Sequence, residues 1–303
     1  MKNNAQNDTR YDDEIDLTEL FGILWAGKLK IIYITALFAV ASVIYALSLP
    51  DQYKVTTLLA PAQSDSSDLS GALGSLGGIA SLAGVNISGG ESSEAQIAQE
   101  IMISWSFIES FITENDISVE LYASHGWNKG SNEIQIDEDL YDTENKQWVK
   151  ERPTSWQLFE AFSGILAVSE DKDSGLVKMS IEHYSPNLAK KWLDTFVAAI
   201  NTHMQQRQMS KVSDNINYLQ AQIEMTSIAE MRDVFYSIIE EQTKNKMLAE
   251  ASPDYVFVEV YPSMIPEIRS SPQRAFICIL ITFLGAIFSA LIVLTMHYRQ
   301  RSA

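Results

Sequence analysis

Two long apolar segments without a charged residue constrain this chain more than any other feature. Residues 31–49 carry no charge over 19 positions, and residues 275–296 carry none over 22. As helices these segments would extend about 28 and about 33 Å, which matches the roughly 30 Å hydrocarbon core of a bilayer. The sequence therefore predicts two transmembrane helices, one near each end of the chain.

The charges around the first apolar segment predict its orientation. Lys28 and Lys30 precede the segment, whereas Asp51 and Lys54 follow it. Because basic residues favour the cytoplasmic side, both ends of the chain are expected in the cytoplasm. One alternative stays open, since residues 46–48 resemble a signal-peptide cleavage site, although a long acidic segment precedes them.

These boundaries divide the chain into five expected parts. They are a cytoplasmic segment 1–30, a transmembrane helix 31–49, an outward-facing domain 50–273, a second transmembrane helix 274–296 and a cytoplasmic tail 297–303. The outward-facing domain is acidic, with 15 basic and 33 acidic residues between positions 51 and 272. Nucleic acid is therefore not an expected partner, because phosphate binding needs clustered lysine and arginine.

The outward-facing domain alternates between patterns typical of strands and of helices. Strands are predicted at 52–60, 165–169, 176–183 and 255–260, and a helix is predicted at 92–115. One strand follows the first span directly and another lies shortly before the second span. We therefore expect both in one membrane-proximal sheet and an α+β base domain.

A long helix begins where Ser185, a suitable N-cap residue, is followed by proline. Its pattern continues over about residues 186–226, which corresponds to roughly 60 Å of helix. Ser227 and Glu230 are spaced as a capping box for a second helix at about 228–250. The two helices are expected to form a hairpin that projects from the base. Their narrow apolar stripes favour packing against copies of the same chain.

A glycine-rich stretch, residues 70–90, holds seven of the 14 glycines. A phosphate-binding loop needs a lysine after its glycines, yet no lysine or arginine occurs between Lys54 and Lys129. The glycine order also differs from the dinucleotide-binding fingerprint. We expect a mobile loop whose apolar residues can dock on a neighbouring chain.

The sequence shows no catalytic or metal-binding pattern, so no catalytic residue, cofactor or metal is expected. The single cysteine, Cys278, lies in the second apolar segment, and the acidic run 136–144 is interpreted as solvated surface. Four histidines lack the spacing of metal ligands: His125, His183, His203 and His297. Three tryptophans, for which sugar stacking and packing inside the protein both stay open, are Trp127, Trp148 and Trp156.

A spaced pattern of prolines and small residues leads into the second span. It begins at Pro266, continues at Ser271 and Pro272, and ends at Gly285 and Ser289 within the span. This pattern resembles that of the Wzz-type chain-length determinants, also called polysaccharide co-polymerases. Small residues at the last two positions let transmembrane helices approach closely.

The chain departs from the family pattern at three positions. Pro262 lies one residue too far from the next proline, Gln273 replaces a lysine, and Ser289 replaces a glycine. Arg274 can supply the lost positive charge. Further segments that resemble the family are 13–32, 53–61, 175–194 and 217–243, together with the glycine-rich stretch.

The resemblance implies a non-enzymatic homo-oligomer in a bacterial inner membrane, with its main domain in the periplasm. Such a protein works with the O-antigen polymerase and the growing lipid-linked polysaccharide, in contact with membrane lipid, to set chain length in lipopolysaccharide biosynthesis. Two alternatives stay open. One is a membrane adaptor of a capsule or exopolysaccharide exporter that partners a separate cytoplasmic tyrosine kinase. The other is a two-span sensor, although only seven residues follow the second span.

Overall fold

The computed structural model describes residues 24–62 and 90–301. These residues form two compact units, one before Pro50 and after Ser270, the other between them. Residues 1–23 and most of the glycine-rich stretch, 70–89, lie outside the described residues. The loop expected in that stretch therefore stays a prediction.

Helices and strands alternate along the described residues. In chain order they are α1 (Lys28–Ser48), β1 (Tyr53–Pro61), α2 (Gly90–Met102), α3 (Trp105–Glu114), α4 (Ser118–Tyr122), β2 (Ser124–Asn128), β3 (Glu133–Ile136), β4 (Tyr141–Asp142), β5 (Gln147–Trp148), α5 (Ser155–Ile165), β6 (Leu166–Glu170), β7 (Val177–His183), α6 (Pro186–Met225), α7 (Ala229–Ala251), β8 (Phe257–Tyr261) and α8 (Arg274–Arg301). This mixture confirms the predicted α+β class with long apolar helices at both ends.

Helices α1 and α8 form the first unit and pack against each other. Their apolar stretches have mean hydropathies of 2.2 and 2.9, and only 11% and 17% of those stretches is buried. The core helix of a soluble domain would instead be mostly buried. Both helices are long and apolar enough to cross a membrane.

The second unit is built on a four-stranded antiparallel sheet with the order β6-β7-β1-β8. The strand after α1 and the last strand before α8 belong to one sheet, as the sequence predicted, and the structure pairs them directly as β1 and β8. β1 and β7 are central, and Val55 lies opposite Ile181, both fully buried. A register shift at Leu58 and Leu59 marks a bulge against β8.

The first third of α6 covers the central strands and supplies much of the core. Trp192, Phe196 and Ile200 are buried and lie in one cluster with the inward side chains of β1 and β7. Ser185 caps the helix by accepting a hydrogen bond from the Leu188 amide, and Pro186 occupies the first turn, as expected from the sequence. Each deeply buried aliphatic or aromatic side chain in this cluster contributes about 2–3 kcal/mol by leaving water.

The single helix predicted at 92–115 is wrong, because the structure has two helices, α2 and α3. The helix is interrupted at Ser104. The Ser104 hydroxyl donates to the Ile101 carbonyl at 2.7 Å and accepts from the Phe107 amide at 3.4 Å. A serine in this position ends one helix and caps the next.

This break changes which side chains reach the core. A continuous helical period places Ile97 and Trp105 on the apolar face, yet they are 39% and 44% exposed. Phe107 and Phe111 are buried instead, because the helical phase restarts after Ser104. Ile108 and Ile112, which a continuous helical period also places on that face, are buried.

Helices α6 and α7 form the expected hairpin. The Gln205 side chain donates to the Ala249 carbonyl at 2.8 Å, and Lys246 donates to the Ser213 hydroxyl at 3.0 Å. The predicted capping box at the start of α7 is wrong, since Ile228 is the N-cap residue and makes no side-chain cap. Ser227 therefore lies one position too early for its hydroxyl to reach the first-turn amides.

Residues 123–153 contain two small antiparallel pairs, β2 with β3 and β4 with β5. Asn132 and Lys146 turn the chain with φ angles of +56° and +55°. After this segment, Thr154 and Gln157 make a capping box at the start of α5.

Candidate interaction surfaces

Helices α1 and α8 approach closely at Gly285. A Cβ atom on this residue would lie 2.6 Å from Cβ and 2.7 Å from Cγ of Phe38. Any side chain would push the helices apart, because such distances lie well inside van der Waals contact. Phe38 also packs edge-on against Phe288, with ring centroids 6.2 Å apart. Gly285 therefore sets the helix separation at this level.

Ser289 lies one turn beyond Gly285 and is fully buried between the helices. Its hydroxyl donates to the Ala286 carbonyl at 2.8 Å and lies 3.4 Å from Oγ1 of Thr35. On α1, Ser42 is buried as well and donates to the Ala39 carbonyl at 2.7 Å. Each hydroxyl is thus satisfied within the apolar interface, as burial requires.

The remaining residues of the spaced pattern fall outside this interface. Pro266 belongs to the second unit, whereas Ser271 and Pro272 precede α8 in the first unit. Arg274, which follows them, donates from Nη2 to the Leu49 carbonyl at 3.1 Å. This bond joins the start of α8 to the end of α1.

The second unit receives and releases the chain at one place. Asp51 and Arg269 form an ion pair at 3.4 Å, and the Ser270 amide donates to the Gln52 carbonyl at 2.9 Å. These bonds join residues close to the two ends of the unit, so the chain enters and leaves the unit side by side.

His183, at the end of β7, is buried and joins three elements. Nδ1 accepts from the Ser185 amide at 3.2 Å, and Nε2 lies 3.2 Å from the Ser124 hydroxyl and 3.3 Å from the Glu120 carbonyl. The ring packs on Trp192 with centroids 4.7 Å apart. Burial lowers the pKa of His183 to about 4, so the imidazole is neutral at ordinary pH.

Asn201 links α6 to the edge strand β8 through a buried amide. Its Oδ1 accepts from the amides of Val256 and Phe257 at 3.0 and 2.9 Å, and its Nδ2 donates to the Phe257 carbonyl at 2.8 Å. The sequence contains one indication that Asn201 is buried, because it lies four residues after Val197 and therefore on the buried face of α6. His183 offered no comparable signal.

The helical hairpin exposes many large apolar side chains. These are between 36% and 71% exposed: Tyr218, Met225, Ile228, Met231, Val234, Tyr236, Ile238, Met247 and Leu248. Apolar side chains exposed in this number make the hairpin a candidate surface for contact with a protein or a membrane.

The acidic run 136–144 supplies turns. Asp142 accepts from the Asn145 side chain at 2.8 Å and from the amides of Asn145 and Glu144, each at 2.9 Å. The Asn145 side chain, together with these two amides, lowers the pKa of the Asp142 carboxyl. Within residues 24–62 and 90–301, no three histidine, cysteine or acidic side chains are grouped to hold a metal ion.

The three tryptophans have different surroundings. Trp127 packs edge-on against Tyr53 and donates to Asn132 at 3.2 Å, and Trp148 packs between Tyr122 and Tyr141. Trp156 is 56% exposed and leans on Phe159, so it is the one of the three that presents most of its ring to solvent.

The described residues thus contain two helices long and apolar enough to cross a membrane, one on each side of an α+β unit in the chain. Residues 13–115, about a third of the chain, match the family model Wzz, described as chain length determinant protein. This match confirms the resemblance to the chain-length determinants over the amino-terminal third. The spaced pattern from Pro266 to Ser289 lies outside the matched segment.

Two solved structures are similar to this chain. One is described as a full-length bacterial polysaccharide co-polymerase, with 14% identity, coverage of 94% of this chain and 99% of that chain, and a TM-score of 0.40. The other is a fragment of WzzB, a polysaccharide co-polymerase from Salmonella Typhimurium, with 12% identity, coverage of 73% and 100%, and a TM-score of 0.33. No curated protein sequence matches the chain.

Proposed function

We propose that this protein regulates the chain length of O antigen or a related surface polysaccharide without catalysing a reaction itself. The observation that carries the proposal is the match of residues 13–115 to the chain length determinant family. In this role the protein sits in the bacterial inner membrane with residues 50–273 in the periplasm. It acts as a scaffold for the polysaccharide polymerase and the growing lipid-linked polysaccharide in lipopolysaccharide biosynthesis.

The architecture supports a scaffold role. Two helices can anchor the chain in a membrane. At a rise of 1.5 Å per residue, α6 with its 40 residues is about 60 Å long and α7 with its 23 residues is about 35 Å long. Asp137 and Asp142 of the acidic run accept hydrogen bonds within turns, and the buried His183 is sealed from solvent. The exposed apolar surface of the hairpin suits a protein that binds other molecules and holds them together.

The occupant that we assign to the apolar surface of the hairpin is a second copy of this chain. An assembly of identical subunits would cover the same side chains on every hairpin and would repeat one binding surface for the polymer. Pro266, Ser271 and Pro272 connect the hairpin unit to α8, and Gly285 and Ser289 hold α8 against α1 within each subunit. We propose these five as the residues that position the spans.

Deletion of the gene in its host tests the function. The modal length of lipopolysaccharide, resolved on a gel, should change and should return when the wild-type gene is restored. An unchanged length distribution would refute the proposal. Loss of capsule together with recovery of a tyrosine-phosphorylated partner would instead favour the exporter adaptor.

Paired substitutions test the assembly surface. Val234→Ser with Ile238→Ser should lower the mass of the full-length complex in detergent, because both side chains are exposed on α7. The matched control is Glu240→Ser with Glu241→Ser on the same helix, which should leave the mass unchanged. Light scattering of the purified protein reports the mass, and equal masses for both pairs would refute this surface.

A further inference from the structure

An apolar crevice lies between α1 and α8, near the start of α1. It is an open groove with a volume of about 320 Å³. Its walls are Leu29, Lys30, Tyr33 and Ile34 of α1 and Ile292, Val293 and Met296 of α8. Apart from the lysine ammonium and the tyrosine hydroxyl, the lining side chains are hydrocarbon or thioether.

The crevice occupies the outer edge of the expected membrane region. Residues 29–34 rise by about 7.5 Å along the helix axis, a quarter of a hydrocarbon core of roughly 30 Å. A cavity at this depth is next to the lipid headgroups and opens towards acyl chains. Because its walls offer few hydrogen-bonding partners, apolar atoms suit the crevice better than water does.

Basic side chains lie at this end of the helix pair. Lys30 lines the crevice itself, and Lys28 lies two residues earlier with its ammonium 4.7 Å from the centre of the Trp25 ring. Arg299 follows the last lining residue of α8 by one turn and is exposed.

We propose that this crevice binds one acyl chain of an anionic phospholipid, with Lys30 on its phosphate. The charge distinguishes this occupant from a second protein helix, because an apolar helix face gains nothing from an ammonium at the rim of the crevice. Basic residues beside a pocket between transmembrane helices favour anionic headgroups. The inference rests on α1 and α8 lying in a bilayer and is independent of the polysaccharide role.

Native mass spectrometry of the full-length protein in detergent tests the proposal with phosphatidylglycerol and phosphatidylcholine as probes. The wild type should bind phosphatidylglycerol about fivefold more tightly, the factor expected for one lysine near the headgroup. Lys30→Gln should remove most of this preference. Lys129→Gln, in the second unit, is the matched control and should keep it. Equal binding of both lipids by the wild type would overturn the proposal.

A second variant tests the crevice separately from the charge. Ile292→Phe should fill the space and weaken binding of both lipids, whereas Ile287→Phe, exposed on the same helix, should leave it unchanged. Unchanged binding by Ile292→Phe would overturn the proposal. So would a smaller complex with the lipid preference retained, since that result assigns the crevice to a second copy.

The two proposals fail separately. Loss of lipid preference in Lys30→Gln with a normal lipopolysaccharide ladder would leave both intact. A ladder unaffected by gene deletion would refute only the chain-length role.

Discussion

At the scale of single residues, two buried polar side chains hold neighbouring elements in register. His183 connects α4, β2 and the start of α6, and Asn201 connects α6 to β8. An apolar residue would pack in either place but would leave backbone amides and carbonyls without partners, which is costly inside a protein. Both side chains therefore fix the positions of the neighbouring helices and strands relative to one another.

We expect His183 to make the second unit sensitive to acid. Its pKa is about 4 in the folded protein, against an ordinary value of 6.5. Because the folded value is the lower one, the neutral ring favours folding above pH 6.5, and this contribution falls as the pH drops towards 4. The full loss is about 3 kcal/mol, at 1.36 kcal/mol per pKa unit.

Urea unfolding of the full-length protein between pH 7.5 and pH 4 measures this effect. His183→Gln should flatten the pH dependence, because glutamine cannot be protonated there. His125→Gln, on the surface, should retain the wild-type slope. Identical slopes for the wild type and His183→Gln would show that other groups cause the acid sensitivity.

Asn201→Leu should destabilise the protein by at least about 3 kcal/mol. The substitution leaves the Val256 and Phe257 amides and the Phe257 carbonyl unpaired, at about 1–3 kcal/mol for each buried group. The control Asn215→Leu, exposed on the same helix, should change the free energy of unfolding by less than about 0.5 kcal/mol. Chemical denaturation of both variants is the measurement, and equal stabilities would contradict the assigned role.

At the scale of elements, small residues decide how closely helices pack, and single hydroxyls decide where helices begin. Ser104 divides one predicted helix into α2 and α3 by capping the second. Gly285 allows α8 to touch Phe38 of α1 with no side chain between them. In both places a change of a few atoms would alter the geometry of a whole helix.

Gly285→Leu should lower the thermal unfolding midpoint of the full-length protein in detergent. The added side chain collides with Phe38, and overpacking of this kind typically costs about 1–3 kcal/mol. Combining it with Phe38→Ala should restore part of the midpoint, because the alanine opens the space that leucine needs. Ile287→Leu, exposed on the same helix, is the control.

A double variant no more stable than Gly285→Leu alone would contradict a direct contact between these two positions. A melting curve for Gly285→Leu that matches the wild type would show that the helices do not pack through this glycine.

At the scale of the whole molecule, the two apolar helices determine where every other part can act. Both lie at the ends of the chain, and the unit between them receives and releases the chain at one place, through Asp51 and Arg269. Basic residues before the first helix favour the cytoplasm. The large unit is therefore expected on the opposite side of the membrane.

Fusions near residue 150 test this topology. Alkaline phosphatase inserted there should be active, because the enzyme folds in the periplasm, and a fluorescent protein that needs the cytoplasm should stay dark. The same pair at the end of the chain should give the opposite result. A bright fusion and an inactive phosphatase at residue 150 would reverse the orientation and refute the proposed role.

The sequence by itself determined the features that depend on local pattern. Charge-free runs identified α1 and α8, runs with the composition of strands identified β1 and β7, and a serine followed by proline marked the start of α6. These signals are local because hydropathy, strand alternation and helix capping act between residues close in the chain.

Only the tertiary structure decided the contacts between distant residues. The split at Ser104 reversed the exposure expected for Trp105, and the start of α7 left Ser227 without a capping role. The bonds of His183 and Asn201 and the crevice beside Lys30 join positions far apart in the chain. These contacts depend on how whole helices and strands pack, and the spacing of residues along the sequence does not determine that packing.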